Sequence, residues 1–153
     1  MKLSALGLSF VSVAFFPLLA SAQAGPPQLE QGRMVFYDVL RPVPRSQLQE
    51  IPDPASLGGT VLEGNPRAFI RVDYGTPAGL LAGIFEVTRG KIRIVYPFTE
   101  HATIITGFVR ITDESGFSKT YGPGDSYLIK RGSTVIWETL SLRVQKSFLN
   151  FVD

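Results

Sequence analysis

The 153-residue chain contains no cysteine, a single histidine and a single tryptophan. Without cysteine it can form neither a disulfide nor a thiolate metal site, and a cysteine nucleophile is excluded. A lipid-anchored lipoprotein is excluded for the same reason, because the lipid is attached to a cysteine. One imidazole alone is a poor ligand set for a metal ion, since nitrogen-rich metal sites need several.

An excess of charge of one sign is also missing. Fifteen basic residues stand against thirteen acidic ones, and loss of an N-terminal segment containing Lys2 would leave a net charge of +1. The chain has no charge run and no interleaving of basic and aromatic residues. The sequence therefore predicts no nucleic-acid partner and no attraction to an anionic membrane.

Long apolar runs are absent except at the N-terminus, where residues 3–20 follow Lys2. Small residues at positions 20, 22 and 24 offer two cleavage sites of the small-x-small type. This pattern predicts a secretory signal peptide over residues 1–24 and a secreted protein of the bacterial periplasm. The alternative is an uncleaved anchor, which Pro17 would interrupt. After cleavage we expect no stable membrane anchor.

Proline interrupts the next segment, with seven prolines between residues 25 and 66. Only residues 34–40 have the composition of a strand there. We interpret residues 25–60 as an extended N-terminal arm that lies along the rest of the protein or along a partner subunit, because the prolines prevent a separate core. A homodimer with exchanged arms is one expected assembly.

Short strands and tight turns fill residues 83–138, and no segment there has a long helical period. Ile92, Ile94, Tyr96 and Phe98 form one apolar stripe, and residues 102–112 have the composition of a strand covered on both faces. Residues 113–116 supply a hairpin turn, and residues 122–125 supply a second turn before the strand at 126–129. The order predicts an antiparallel all-β barrel or sandwich.

The segments GIFEVTRG, FTEHATIITG, ITDESG, GPGDSYLIKRG and RVQKSF resemble the cupin family that includes the ureidoglycine aminohydrolase-type and ethanolamine-utilisation cupins. The resemblance covers roughly residues 61–152. It implies a double-stranded β-helix, the cupin jelly-roll barrel, over residues 61–153. Barrels of this family often hold a divalent metal ion or a small organic ligand at the mouth.

The family's metal site does not carry over to this chain. Glu100 lies seven residues before Gly107, as the family glutamate does before its glycine. The family's three histidine positions fall at Ile94, Tyr96 and Val135. His101 is adjacent to Glu100, so the two side chains point to opposite faces of a regular strand. We therefore predict no metal ligands and no cofactor, and interpret His101 as a surface or interface residue.

Four side chains are predicted to line the barrel: Tyr96, Glu100, Trp137 and Lys146. Glu100 projects inward beside Tyr96 if the strand is regular, and a buried carboxylate must be paired, hydrogen-bonded or protonated. Lys146 is one candidate for its ion-pair partner, and a barrel arginine is another. Trp137 is either core packing or the flat wall of a ligand pocket.

Three functions stay open at this point. The first is a metal-free module that binds a small polar metabolite through Tyr96, Glu100, Trp137 and Lys146. The second is an aminohydrolase- or isomerase-like enzyme in which Glu100 acts as the catalytic acid or base, or as a metal ligand. The third is a structural or interaction protein whose barrel is filled by its own side chains.

Overall fold

The computed structural model describes residues 32–53 and 58–152, which are mostly β-structure. The strands of this part of the chain are β1 (Gln49–Ile51), β2 (Gly59–Gly64), β3 (Ala68–Gly75), β4 (Leu81–Val95), β5 (Thr99–Thr106), β6 (Val109–Asp113), β7 (Ser118–Tyr121), β8 (Ser126–Ile129) and β9 (Thr134–Phe151). The predicted all-β fold class is confirmed. No helix in these residues is long and apolar enough to cross a membrane. The predicted signal peptide, residues 1–24, lies outside the described residues.

Two long antiparallel strands, β4 and β9, organise the molecule. They pair from Leu81 opposite Asn150 to Val95 opposite Thr134, with a register shift between Thr88 and Gly90. On one side of this shift they join a first sheet of order β1-β3-β4-β9-β5-β8. On the other side they join a second sheet of order β2-β4-β9-β6-β7. Two sheets that share their long strands form the predicted jelly-roll barrel.

The inner faces of both sheets build one hydrophobic core. Side chains alternate between inside and outside along each strand, so every second residue contributes. Both sheets supply members of this cluster, which are Val87, Ile92, Tyr96, Ala102, Ile104, Val109, Ile111, Tyr127, Ile129, Val135, Trp137, Val144 and Phe148. Because the same cluster surrounds Glu100 and Lys146, the packing of the barrel fixes the surroundings of the candidate site.

The prediction of one continuous strand over residues 102–112 is wrong. β5 ends at Thr106 and β6 begins at Val109. Between them Gly107 has a φ of +81°, a left-handed conformation that favours glycine. The break allows β5 to pair with β8 in the first sheet and β6 to pair with β7 in the second. The predicted hairpin turn after Thr112 is present, and the Asp113 carboxylate accepts hydrogen bonds from the amides of Ser115 and Phe117 there.

Replacement of Gly107 by alanine is expected to destabilise the protein more than the same change at Gly124. Both glycines have positive φ, +81° and +88°, so both changes cause backbone strain. A Cβ at Gly107 would also lie 2.1 Å from the carbonyl oxygen of Arg143, whereas a Cβ at Gly124 would meet nothing within 4 Å. We expect a difference of at least about 1 kcal/mol in the free energy of unfolding, measured by urea denaturation. Equal losses would contradict the close approach at Gly107.

The arm docks on the outer face of the first sheet of its own barrel. The amide of Val43 donates to Oε1 of Gln145 at 2.6 Å, and Nε2 of Gln145 donates to the Val43 carbonyl at 2.9 Å. Arg45 lies in a 3₁₀ turn, Arg45–Gln47, and pairs with Glu86. β1 then pairs antiparallel with β3, with Ile51 opposite Ala68. The arm therefore adds an edge strand to the barrel.

The prediction of a strand over residues 34–40 is wrong. Oδ1 of Asp38 accepts a hydrogen bond from the Leu40 amide at 2.8 Å, and the Asp38 carbonyl accepts one from the Arg41 amide at 3.2 Å. These contacts make a turn, because an Asp side chain competes with the ladder for backbone donors. Met34, Phe36 and Leu40 are 87%, 76% and 84% exposed. β2, Gly59–Gly64, spans the predicted arm–barrel boundary between residues 60 and 61.

Candidate functional site

A polar cluster lies on the inner face of the barrel. Glu100 is on β5, Tyr127 on β8 and Lys146 on β9, and Tyr96 directly follows β4. The strand pairing sets Ala102 opposite Tyr127 and Ile104 opposite Lys146. Glu100 shares the inward face with these residues, because alternate residues of a strand share a face. The structure thus brings the predicted residues Tyr96, Glu100 and Lys146 together.

Three donors converge on one oxygen of Glu100. Oε1 accepts from Lys146 Nζ at 2.5 Å, from the Tyr127 hydroxyl at 2.9 Å and from the Tyr96 hydroxyl at 3.3 Å. Lys146 Nζ also donates to the Tyr127 oxygen at 2.9 Å. Oε2 of Glu100 takes no part in these contacts. The ion-pair partner of Glu100 is therefore Lys146, one of the two alternatives that the sequence left open.

Burial changes the pKa values of Lys146, Tyr96 and Tyr127 in this cluster. Glu100 and Lys146 are each 4% exposed. Burial lowers the pKa of Lys146 below its ordinary value, and the Glu100 carboxylate opposes that change. Burial raises the pKa of Tyr96 and of Tyr127 well above 10, and the negative charge of Glu100 adds to the effect. Both phenols are therefore protonated donors at neutral pH.

Aromatic rings surround the Lys146 ammonium. Its Nζ atom lies 5.1 Å from the Trp137 ring, 5.2 Å from the Phe85 ring and 5.5 Å from the Tyr127 ring. The faces of aromatic rings attract a cation, and this attraction strengthens when the cation is removed from water. Trp137 is 2% exposed, and its indole N–H donates to the Thr139 hydroxyl at 3.0 Å. The predicted inward placement of Trp137 is thus what the structure shows.

Asn150 adds a polar atom without a partner. It lies directly opposite Glu100 in the pairing of β5 with β9 and is 7% exposed. Its Oδ1 atom is buried and accepts no hydrogen bond from the described residues. Buried polar atoms of native proteins nearly always have a partner. The Oδ1 atom of Asn150 is therefore a buried acceptor beside the Glu100 cluster that the described residues leave unpaired.

The chain does not fit the metal site of histidine-containing cupins. Among the described residues no group of three or more His, Asp or Glu side chains is arranged to hold a metal ion. The ammonium of Lys146 lies against Glu100, where a metal ion would have to contact the carboxylate. His101 is exposed on the opposite face of β5, in agreement with its predicted surface position. At this position the Lys146 ammonium supplies the positive charge that a metal ion would supply beside the carboxylate.

Two members of the cluster, Tyr127 and Asn150, were missed from sequence. Alternation places Tyr127 and Ile129 on one face of β8, but the sequence alone does not say which face is inside. Asn150 lies on the C-terminal part of β9, beyond the last segment that carried the resemblance. The available signal for Tyr127 is that it shares a face with Ile129, whereas the opposite face of β8 includes the polar residue Ser126.

Comparison with known protein families agrees with the jelly-roll fold of the chain. Residues 78–148 match the family of EutQ-like cupin domains. No match was found among curated proteins. The EutQ-like part of the sequence-based resemblance is therefore confirmed, whereas its ureidoglycine aminohydrolase part stays a prediction.

Solved structures share the fold at low sequence identity. The EutQ protein of Clostridium difficile superposes with a TM-score of 0.51 at 14% identity, over 57% of this chain and 70% of that chain. A protein of unknown function from the DUF861 family of Pseudomonas syringae pv. tomato superposes with a TM-score of 0.58 at 21% identity, over 67% of this chain and 43% of that chain. This chain thus matches less than half of the Pseudomonas protein, and both likenesses show the fold alone.

Proposed function

From the match of residues 78–148 to the EutQ-like cupin domains, we propose that the barrel binds a small polar metabolite without a metal ion. One observation carries the proposal. A carboxylate, an ammonium and two phenols are buried together on the inner face of the barrel, beside an unpaired amide oxygen. Ligand sites typically combine apolar and aromatic walls with a few polar groups of this kind.

The cost of burying this cluster supports a functional role. A buried ion pair is rarely more stabilising than apolar side chains of similar size. Glu100 and Lys146 are nevertheless placed inside the hydrophobic core, 2.5 Å apart, where apolar residues would pack as well. The unpaired Oδ1 of Asn150 adds a further cost. A ligand that accepts and donates hydrogen bonds would offset that cost.

The test is ligand retention. Purified protein is mixed with a small-molecule extract of periplasm, because the N-terminal segment predicts export, and is then washed and denatured. Mass spectrometry of the released molecules is expected to identify a compound bound in about equimolar amount. That compound should change the fluorescence of Trp137, the only tryptophan of the chain, because its ring lies 5.1 Å from Lys146 Nζ.

A charge-neutral double variant, Glu100→Gln with Lys146→Met, is expected to lose the compound. The matched control replaces an ion pair on the outer face of the barrel, Arg110→Gln with Glu138→Gln, whose charged atoms lie 3.2 Å apart. The control should retain the compound. Retention by the inner-face variant, or no compound with wild type, would reject the proposal and favour a barrel filled by its own side chains.

An acid–base enzyme is the second candidate function. Glu100 lies within hydrogen-bond distance of an ammonium and of two phenols, which is an arrangement that allows proton transfer. In this alternative the retained compound would be converted on incubation, and the double variant would stop its conversion. Elemental analysis of the purified protein would test the metal-dependent form of this alternative, in which Glu100 is a ligand.

A further inference from the structure

Lys146 differs from the other lysines that the structure describes. Its side chain is 5% exposed and lies between a carboxylate and a phenol. The side chain of Lys91 is 28% exposed and pairs with Glu63. Lys119 and Lys130 are exposed on the surface. The barrel thus isolates one primary amine in a polar cluster with aromatic walls.

The neighbours of this amine match the needs of imine formation. An amine attacks a carbonyl carbon only after it has lost its ammonium proton, so a nearby base is required. The oxygen of the carbonyl must later leave as water, which requires a nearby acid. Glu100 lies 2.5 Å from Nζ and Tyr127 lies 2.9 Å from Nζ. Both groups needed for the two proton transfers are therefore in contact with the amine.

We propose that Nζ of Lys146 forms a Schiff base with the carbonyl carbon of a small aldehyde or ketone. This inference rests on the proposed function, because it names the chemical class of the ligand of that same site. It also goes beyond reversible binding, since it adds a covalent bond to the protein.

The step balances without an oxidant or a reductant. Glu100 takes one proton from the Lys146 ammonium, and the freed nitrogen lone pair attacks the carbonyl carbon. The carbonyl π electrons move to oxygen, which takes up the proton that the attacking nitrogen loses, relayed by the Tyr127 hydroxyl 2.9 Å from Nζ, and a neutral carbinolamine results. The carbon–oxygen bond then breaks, water leaves with a proton supplied by protonated Glu100, and the nitrogen lone pair closes the C=N bond. One ammonium and one carbonyl become one iminium ion and one water molecule.

The charge of the buried site is unchanged by this reaction. The ammonium and the iminium ion both carry one positive charge, and Glu100 is a carboxylate before and after. The iminium nitrogen would stay near the three aromatic rings that lie 5.1 to 5.5 Å from Nζ. A buried ion that keeps its partner avoids the cost of an uncompensated charge. The barrel therefore holds a counter-ion ready for the product.

Burial favours the reactive form of the amine as well. It lowers the pKa of Lys146, and each unit by which the pKa falls raises the fraction of neutral amine about tenfold at neutral pH. Removal from water is a recognised way of activating a lysine nucleophile. Lys119 and Lys130, by contrast, are exposed to water.

Reductive trapping tests the inference. Full-length protein is incubated at pH 7 with formaldehyde or propanal and sodium cyanoborohydride, which reduces an iminium ion to a stable amine. Peptide mapping then gives the modification rate of each lysine. We expect Lys146 to react faster than Lys119 and Lys130 at pH 7, because it lies beside Glu100 and Tyr127 and burial lowers its pKa. This selectivity should vanish in protein unfolded by urea, because unfolding separates Lys146 from Glu100 and Tyr127.

Two probes of different size are used, and the lysines are mapped in wild-type protein. Formaldehyde is the smallest carbonyl compound, so it needs the least space beside Lys146 Nζ. Modification of Lys119 and Lys130 with Lys146 unmodified by both probes would overturn the inference. If a compound is nevertheless retained in the extract experiment, reversible binding stands without the covalent step. Because the mapping uses wild-type protein, the result does not depend on whether Lys146→Met folds, and that variant serves only to confirm the assignment.

Discussion

Replacement of Glu100 by glutamine is expected to lower the free energy of unfolding by about 3 to 5 kcal/mol. The carboxylate is 4% exposed and accepts three hydrogen bonds on one oxygen. Glutamine has nearly the same shape but no charge, so the Lys146 ammonium would stay buried without its counter-ion. The loss is measured by urea denaturation followed through tryptophan fluorescence.

Lys146→Met should cause a loss of similar size, because it leaves the carboxylate unpaired. The double variant Glu100→Gln with Lys146→Met should lose much less than the sum of the two single losses. Removal of both charges leaves no uncompensated ion in the core, and methionine fills irregular gaps. Additive losses in this double-mutant cycle would show that Glu100 and Lys146 do not act as a pair.

The Glu100→Gln variant should also become more stable as the pH rises from 7 to 9. Burial lowers the pKa of Lys146 in the folded protein, and the variant lacks the carboxylate that opposes this change. The unfolded chain keeps the lysine proton to about pH 10.4. The unfolded state then binds more protons than the folded state, so the free energy of unfolding increases with pH. The range stops at pH 9 because tyrosines of the unfolded chain ionise near pH 10, whereas burial raises the pKa of Tyr96 and Tyr127 in the folded protein, and that difference lowers stability as the pH rises further.

The inward position of Glu100 could be predicted because the resemblance places the family's glutamate at this position and the alternation of β5 agrees with it. Tyr96 and Trp137 follow from the same alternation, since each lies on an apolar stripe. The partner of Glu100 could not be chosen from sequence. Lys146 lies on a strand far along the chain, and only the register of β5 with β9 sets Ile104 opposite Lys146.

Two features of the fold could not be read from local patterns. β9 runs for 18 residues, Thr134–Phe151, whereas its sequence indicates only a short strand at the start. The length depends on pairing with β4, which is itself 15 residues long, and such pairing is a property of the whole sheet. Residues 34–40 have strand composition, but the Asp38 side chain forms a turn with the Leu40 amide instead.

Arg45→Met is expected to release the arm from the barrel and to lower the free energy of unfolding by about 2 to 3 kcal/mol. Glu86 is fully buried on the outer face of β4, at 0% exposure. Arg45 donates to its Oε1 from two nitrogen atoms at 2.6 and 2.9 Å. The remaining partners are Gln145 at 3.1 Å and Arg143 at 3.4 Å. Without Arg45 the carboxylate keeps only these longer contacts.

Arg45→Met should increase opening of the arm before it promotes unfolding of the whole protein. The arm adds only β1 and a 3₁₀ turn to the sheet, so few contacts hold it. Hydrogen exchange is expected to accelerate first at residues 43–51, including the Val43 amide that donates to Gln145. Opening confined to one segment is the usual behaviour of elements with few buried contacts. Exchange in β5 and β9, which hold the Glu100 cluster, should change much less.

Glu50→Gln is the matched control on the same arm. Glu50 pairs with Arg67 at 2.7 Å, but both side chains are about half exposed, at 43% and 54%. Exposed ion pairs contribute little to stability because water and salt screen them. We expect no measurable change in stability or in exchange over residues 43–51. Equal effects of Arg45→Met and Glu50→Gln would contradict the argument, because burial of Glu86 is the property that distinguishes the two pairs.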